Sequence, residues 1–488
     1  MSNALFTALK KNIRGQVSSS EASLSHCAQD KSIFELRPQI VVAPKDAQDL
    51  QSTVEIARDF QATIQARGGG SGVTGGALGD QIVIDFRLHM HQVIDIQNDH
   101  AWVQPGVFLE ELNNKAKPLS KHFAPDPGSR AYASFGGAVA NNAAGAHGLT
   151  YGMTRDHVLD IDCVLSDGRA MRTSDMPGRF HTLTQTMKEH RSTIEDTTLK
   201  VSKNSSGFFL ETFLADTPDF AALMTGSEGQ LALFQAIKVK LTLAPSKVMM
   251  GICHFSNRLD ALDAIADILK TTPACVELVD QTIQTALVRG APNMCEQLGV
   301  VADQASLWIE WFGNSGPDEL PKNLPLAFQT QDPALITKAW QLRSQASVFL
   351  HQYATTRQPL RCIEDACVPV KRLRDFVSEV EGLLTEHDCQ GAIFGHVGNG
   401  HVHINPGIDV TKPDLKSRIE NLCKAFYPLV LKYNGTISGE HGDGYLRQAF
   451  LQDQWGARMD LFKKVKDTFD PKNTFGTHSH PKYKQFCA

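Results

Sequence analysis

The chain has 488 residues, 42% of them hydrophobic and 21% charged, with 48 Lys+Arg against 53 Asp+Glu and a formal net charge of −5. That length suffices for two or three domains with separate cores, and the slight acidic balance without basic runs argues against a nucleic-acid surface. Apolar runs such as "IVIDF" and "GAIF" are strand-length, far short of the ~20 residues of a membrane span.

The N-terminus, "MSNALFTALKKNIRG", lacks the ordered basic, apolar and small-residue regions of a secretory signal. A cytoplasmic location is expected, at most peripheral to the inner membrane. The ten cysteines run from Cys27 to Cys487 without a single CxxC, so reduced, mostly buried thiols are expected rather than disulfides or an iron–sulfur cluster.

In chain order, residues 1–30 read as a helical arm with a polar connector. From "RPQIVVAPKDAQDLQSTVEIARDF" the pattern becomes strand, proline turn and a helix with apolar three-and-four spacing. "ATIQARGGGSG" is strand then glycine loop, "QIVIDFRLHMHQVIDIQNDHAWVQPGV" short strands, and "FLEELNNKA" a helix. The texture changes after "LFQAIKVKLTLAP", placing a boundary near residue 247. "LDALDAIADILKT" then predicts an amphipathic helix, "ACVELVD" and "SLWIEWFG" strands, and 333–354 one long helix carrying Arg343 with Ser347 a turn later on the same face.

Two stretches carry chemistry. "ARGGGSGVTGG" (66–76) holds six glycines in eleven residues; such a loop lets a ligand approach the backbone, whose N–H groups can converge on an anion. Its spacing is neither GxGxxG nor GxxxxGK[ST], and a flexible turn is the bland alternative. "FGHVGNGHVHINPG" (394–407) holds three histidines and four glycines. The alternation in "HVHIN" puts His401, His403 and Asn405 on one face, while Gly398 and Gly400 permit the bend that brings His396 and His403 together. Imidazoles are common metal ligands. "SGEHGDG" supplies Glu440 as a third ligand, with His441 pointing elsewhere. Histidines satisfying buried hydrogen bonds, or a hydrolytic metal site, are the competing readings.

The glycine loop, "FAPDPGSRAYASFGGAVANNAAGAHGLTYGMTRDHVLDIDCVLSDG" and "TGSEGQLALFQAIKVKL", in that order, resemble the FAD-binding domain of the vanillyl-alcohol-oxidase (PCMH-type) flavoproteins. More narrowly, residues 35–475 resemble the FAD-linked D-2-hydroxyacid dehydrogenases: D-2-hydroxyglutarate and D-lactate dehydrogenases and the glycolate oxidase flavoprotein subunit. The resemblance implies an α+β chain with a PCMH-type FAD-binding domain at 31–247 and a substrate-binding domain with an antiparallel sheet at 248–430. A C-terminal segment, 431–488, returns to the FAD domain and completes the active site.

It implies that Arg67, Gly68, Gly69, Gly70, Ser71, Gly72, Thr74, Gly75 and Gly76 bind the FAD pyrophosphate. Pro125, Gly136, Gly137, Asn141, Ala144, Gly145, Gly148, Tyr151 and Gly152 would line the cofactor, with Glu228, Gly229 and Ile237 closing its far side. With no histidine or cysteine in the glycine loop, FAD is expected to be non-covalent. His396, His403 and Glu440 correspond to the ligands of a divalent metal (Zn, or Mn or Fe), His441 to the general base, and Arg343, Ser347 and Asn405 to substrate contacts.

Asn399 and His401 stand where the family usually has Asp and Asn, and His401 is read as a further ligand or a flavin contact. The lysine of the relatives' "YKYD" segment is missing from "RCIEDACVP", where Arg361 lies two residues out of register, putting a second substrate carboxylate in doubt. The function implied is oxidation of a D-2-hydroxyacid, with D-2-hydroxyglutarate, D-lactate or glycolate as the substrate. Electrons would pass to a separate acceptor: electron-transfer flavoprotein, a quinone or an Fe–S protein. An oxygen-using oxidase and a silent flavin or metal sensor are the alternatives. The oligomeric state is open, a homodimer included.

Overall fold

The computed structural model describes residues 2–313 and 324–476. The first sheet contains β1 (Gln16–Ser18), β2 (Ile40–Ala43), β3 (Ile64–Arg67) and β4 (Ile82–Asp85) in the order β1-β2-β4-β3, with β2 and β3 parallel to β4. Between β2 and β3 runs helix α1 (Ala47–Asp59), started by Asp46, whose carboxylate accepts from the N–H groups of Gln48 and Asp49. Its buried Leu50, Val54 and Ala57 repeat at helical spacing and pack on the sheet. The glycine loop leaves the C-terminal end of β3, where open α/β units place their ligands.

A second sheet is antiparallel, β5 (Val93–Ile96), β6 (His100–Val103), β7 (Val158–Val164), β8 (Ala170–Arg172) and β9 (Leu233–Lys240) in the order β5-β6-β9-β7-β8. The third, also antiparallel, begins at Val248: β10 (Val248–Phe255), β11 (Cys275–Val279), β12 (Ala305–Phe312) and β13 (Leu326–Thr330), ordered β11-β12-β10-β13. Three short strands follow, β14 (Ala366–Cys367), β15 (Ala392–Phe394) and β16 (His401–Asn405), with β16 central. Paired backbone bonds join Leu278 of β11 to Gly395, just past β15. That junction carries the side chain of Glu277 to His396. The mixture of helices with antiparallel sheets is the expected α+β architecture.

Three expectations are corrected. The N-terminal arm is not only helical, since β1 pairs with β2. The helix expected from "LDALDAIADILKT" is two short ones, Arg258–Asp263 and Ile265–Leu269. The long helix is also two, α2 (Pro333–Ser344) and α3 (Ala346–Gln352), separated at Gln345. At that break Ser344 Oγ donates to the Gln341 carbonyl, a local bond that competes with helix propagation. The nine described cysteines are free and buried; Cys487 lies outside the described residues. Among the described residues no helix is long and apolar enough to cross a membrane.

Candidate active site

A cavity of about 800 Å³ is walled on one side by the glycine loop and on the other by the histidine strand. The glycine wall is shaped for close approach. A Cβ on Gly69 would stand 1.9 Å from the Tyr132 carbonyl oxygen and one on Gly68 2.0 Å from Ser134 Oγ, whereas one on Gly72 would meet only Asn141 Nδ2, at 3.9 Å. Gly70 has φ +65°, open to glycine without strain. The loop therefore packs its glycines against protein behind and leaves its backbone bare in front, which fits a large flat cofactor carrying a diphosphate.

Of the residues expected to line the cofactor, Arg67 to Gly72, Gly76, Gly136, Gly137, Asn141, Ala144, Glu228 and Gly229 stand on the cavity wall. Arg67 Nη2 donates to the carbonyls of His26 and Gln29, tethering the N-terminal segment, while its buried Nε and Nη1 have no protein partner.

Others stand behind the wall. Ile237 is fully buried between Val103 and Ile161 in the second sheet. The Thr74 carbonyl accepts from the Tyr445 N–H, and Gly75 packs against that ring. Gly145 gives its carbonyl to Lys203, Gly148 packs on the same lysine, and Tyr151 lies beside His122 and His147. Gly152 takes φ +75° at a helix end, and Pro125 is buried beside Asp126.

On the opposite wall His396, His403, Glu440 and His441 converge. Gly395 and Gly400, at φ +129° and +72°, make the bend. His396 Nε2 is 3.1 Å from Glu440 Oε1 and 3.5 Å from His403 Nε2, and His403 Nε2 is 3.6 Å from the same oxygen. A four-coordinate ion with bonds of ~2.0–2.2 Å separates its ligands by about 3.3–3.6 Å. The three atoms already form one face of such a site. His396 Nδ1 donates to Glu277 Oε1 at 2.5 Å, the carboxylate–histidine pairing that fixes a ligand's orientation.

Charge surrounds this triangle. Burial alone would raise Glu440, but Lys203 and the nearby His396 and His401 hold it well below the usual carboxylate range. Glu277 is likewise held down to about 2 against its burial by His396 and Arg343. Lys203, whose side chain is wholly buried, donates from Nζ to Glu440 Oε2 at 2.8 Å and to the Gly145 carbonyl at 2.8 Å, so one ammonium joins the histidine wall to the glycine wall.

His401 is fully buried, with Nε2 donating to Asp365 and Nδ1 facing Lys203 at 3.5 Å. Burial lowers it to about 3. Its Nδ1 also lies 3.8 Å from Glu440 Oε2, so His401 stands with His396, His403 and Glu440 in one buried group that could hold a metal ion. Asp365, at φ +84°, also accepts from the N–H groups of Glu440 and His441 and thereby sets the "GEHG" turn. Fully buried Arg447 donates to the carbonyls of Ile437, Gly442 and Glu364. His441 Nδ1 lies 2.6 Å from Glu364 Oε2. Burial opposes a proton on that ring, yet Glu364 and Asp365 raise it to about 9.

Arg343 Nη2 donates to Glu277 Oε2 at 3.0 Å, and its guanidinium carbon sits 5.2 Å from the centre of the Phe394 ring. Arg343 Nε and Asn405 Nδ2, on cavity-lining residues, are buried donors without protein partners. Ser347 also lines the cavity, and so does Arg361 despite its offset register. Lys203, Glu277, Glu364, Asp365 and Arg447 escaped the motif reading. Only Glu277 left a trace there, as a lone charge inside the apolar strand "ACVELVD".

Comparison with known proteins matches one domain in each half of the chain. Residues 38–174 match the FAD binding domain, and residues 244–477 match the C-terminal domain of FAD linked oxidases. The chain thus combines an FAD binding domain with a C-terminal domain like that of FAD linked oxidases. Similar proteins include the D-2-hydroxyglutarate dehydrogenase of Escherichia coli, 27% identical across 95% of this chain and 50% of that one. The glycolate oxidase subunit GlcD of Bacillus subtilis is 25% identical (90% and 88% covered), and the D-lactate dehydrogenase of Archaeoglobus fulgidus 26% (89% of each). The chain spans about half the length of the D-2-hydroxyglutarate dehydrogenases it matches. The p-cresol methylhydroxylase structure superposes with a TM-score of 0.71 at 15% identity, covering 97% and 95% of the two chains, so it shares the PCMH-type fold.

Proposed function

We propose that the chain oxidises a D-2-hydroxyacid to the 2-oxoacid with non-covalent FAD and a divalent metal ion, zinc first and manganese or iron next. The observation that carries the reading is the His396, His403 and Glu440 triangle, with edges of 3.1–3.6 Å, facing a glycine cradle across one cavity. His396, His403 and Glu440 would hold the ion, and the Arg67–Gly76 loop would hold the FAD diphosphate. When bound, FAD supplies a two-electron acceptor and the ion supplies Lewis acidity toward a hydroxyl.

The chain's own groups divide the remaining work. Arg343 Nε and Asn405 Nδ2 are free to donate to the substrate carboxylate, arginine being suited to a planar anion. His441 takes the hydroxyl proton as the C2 hydride departs, so one proton and one hydride leave the same carbon and oxygen. Glu364 at Nδ1 orients that ring and stabilises the charge it acquires. A proton acceptor must start neutral, and a dication on the adjacent ligands opposes the carboxylate field that raises His441.

D-2-hydroxyglutarate, D-lactate and glycolate are the acids named in the relatives, and the electrons would go to a separate acceptor: electron-transfer flavoprotein, a quinone or an Fe–S protein. The test is anaerobic bleaching of the oxidised flavin band by D- and L-2-hydroxyacids, with and without chelator. Reduction by D acids, abolished by chelator, is expected. Bleaching by none of them, or bleaching indifferent to chelator, would refute the proposal.

A further inference from the structure

Beside the catalytic cavity lies a second one of about 1170 Å³, and five residues stand on the walls of both: Ser71, Tyr132, Ser347, Val348 and Arg361. Ile33, Leu360, Val410, Leu415 and Ile419 give it an apolar lining, with Asp30, Lys31, His351, Lys416 and Glu420 also on its walls. Among the ten large hydrophobic side chains exposed in the described residues, three converge here: Tyr132 at 50%, Val348 at 54% and Val410 at 38%. An apolar concavity left in water is what a ligand's hydrocarbon covers.

The break in the α2–α3 helix decides the direction. Arg343 ends α2 on the catalytic side, while Ser347 and Val348 on α3 stand at the neck between the cavities. A 2-hydroxyacid with its carboxylate at Arg343 sends its remaining carbons past Ser347 and Val348, beside the stem of Arg361. From this arrangement we infer that the substrate is a 2-hydroxyacid with an aliphatic chain of about six carbons or more, whose tail occupies the second cavity. The inference rests on the proposed activity and narrows its substrate class.

Each methylene moved from water to an apolar wall is worth up to about fourfold in binding, part of which is lost in ordering the chain. The holoenzyme is assayed anaerobically for flavin reduction by D-lactate, D-2-hydroxyglutarate and D-2-hydroxyoctanoate. We expect kcat/KM for the octanoate at least ~10-fold above that for D-lactate. Val410→Asp, at an exposed position on the second cavity alone, should erase that advantage while leaving the D-lactate rate unchanged.

Octanoate itself, which cannot be oxidised at a 2-hydroxyl, should raise the melting temperature of the oxidised holoenzyme but not of the Val410→Asp variant. D-lactate or D-2-hydroxyglutarate reacting as well as the octanoate would overturn the inference. So would a prenylated quinone that binds where octanoate does not, since the cavity would then serve an electron acceptor. If no 2-hydroxyacid bleaches the flavin the proposed activity fails, and the octanoate melting shift still judges the cavity independently.

Discussion

Lys203→Met removes a buried charge while keeping most of the side-chain volume. In the ion-free protein it would leave Glu440, 7% exposed, facing His396 and His401 without its ammonium, and the Gly145 carbonyl without a donor. Breaking a buried pair from one side costs ~3–5 kcal/mol, and protonation of Glu440 caps the loss near the lower figure. At about 2.1 cal/mol/K per residue, 488 residues give an unfolding entropy of about 1 kcal/mol/K. The melting temperature of chelator-treated protein should therefore fall by about 3 °C. Saturating manganese or zinc should reverse much of that fall, because an ion on His396, His403 and Glu440 offsets the same carboxylate. The ion's own stabilising shift should accordingly be larger in the variant than in the parent. A fall below ~1 °C, or an equal fall with and without the ion, would show that Lys203 is electrically separate from the triangle.

Four further outcomes are expected. His396→Ala should retain the yellow flavin and lose the ion, as read by elemental analysis after desalting; undiminished metal content would remove His396 from the ligand set. His441→Gln should keep both and slow flavin reduction by at least ~100-fold, near-normal reduction counting against it as proton acceptor. Arg343→Lys keeps a charge but loses the planar fork, its bond to Glu277 and its place over Phe394, so KM should rise about tenfold or more with a smaller change in kcat; unaltered kinetics would point to another anchor. His147 bridges Asp126 at 2.6 Å and Glu310 at 2.8 Å. Burial disfavours its charge, but Asp126 raises its pKa well above the usual imidazole value. That stabilisation is complete below the unfolded value of ~6.5 and is lost as pH rises through the higher folded one. His147→Gln should accordingly cost more melting temperature at pH 6 than at pH 10, and a pH-independent loss would contradict the charge assignment.

The glycine-lined wall and the His396, His403 and Glu440 triangle were legible because each is local: six glycines in eleven residues, histidines seven apart, and a glutamate between glycines. The groups that surround that triangle were not. Lys203 sits in "VSKNSSG", which reads as a solvated loop, and only folding against Gly145 and Glu440 buries it. Asp365 carries no sequence sign of its left-handed backbone, which is imposed by three N–H and imidazole donors converging from distant segments. The break at Gln345 was hidden as well, since neither glycine nor proline marks it. Strand alternation placed His401 with His403, and their ring centres lie 4.7 Å apart, but it gave no sign of the Lys203 and Asp365 that meet the His401 nitrogens.

The order of the parts along the chain has its own consequence. The cradle and Lys203 leave the ribosome first, His396 and His403 much later, and Glu440 and His441 after both. Glu228 then receives the N–H groups of Asp443 and Gly444, latching the late segment onto the early one. Domains formed during synthesis fold from the N-terminus, so a growing chain passes through a stage with the glycine-lined wall present and the histidine wall absent. The cavity is therefore complete only once the early and late segments have met.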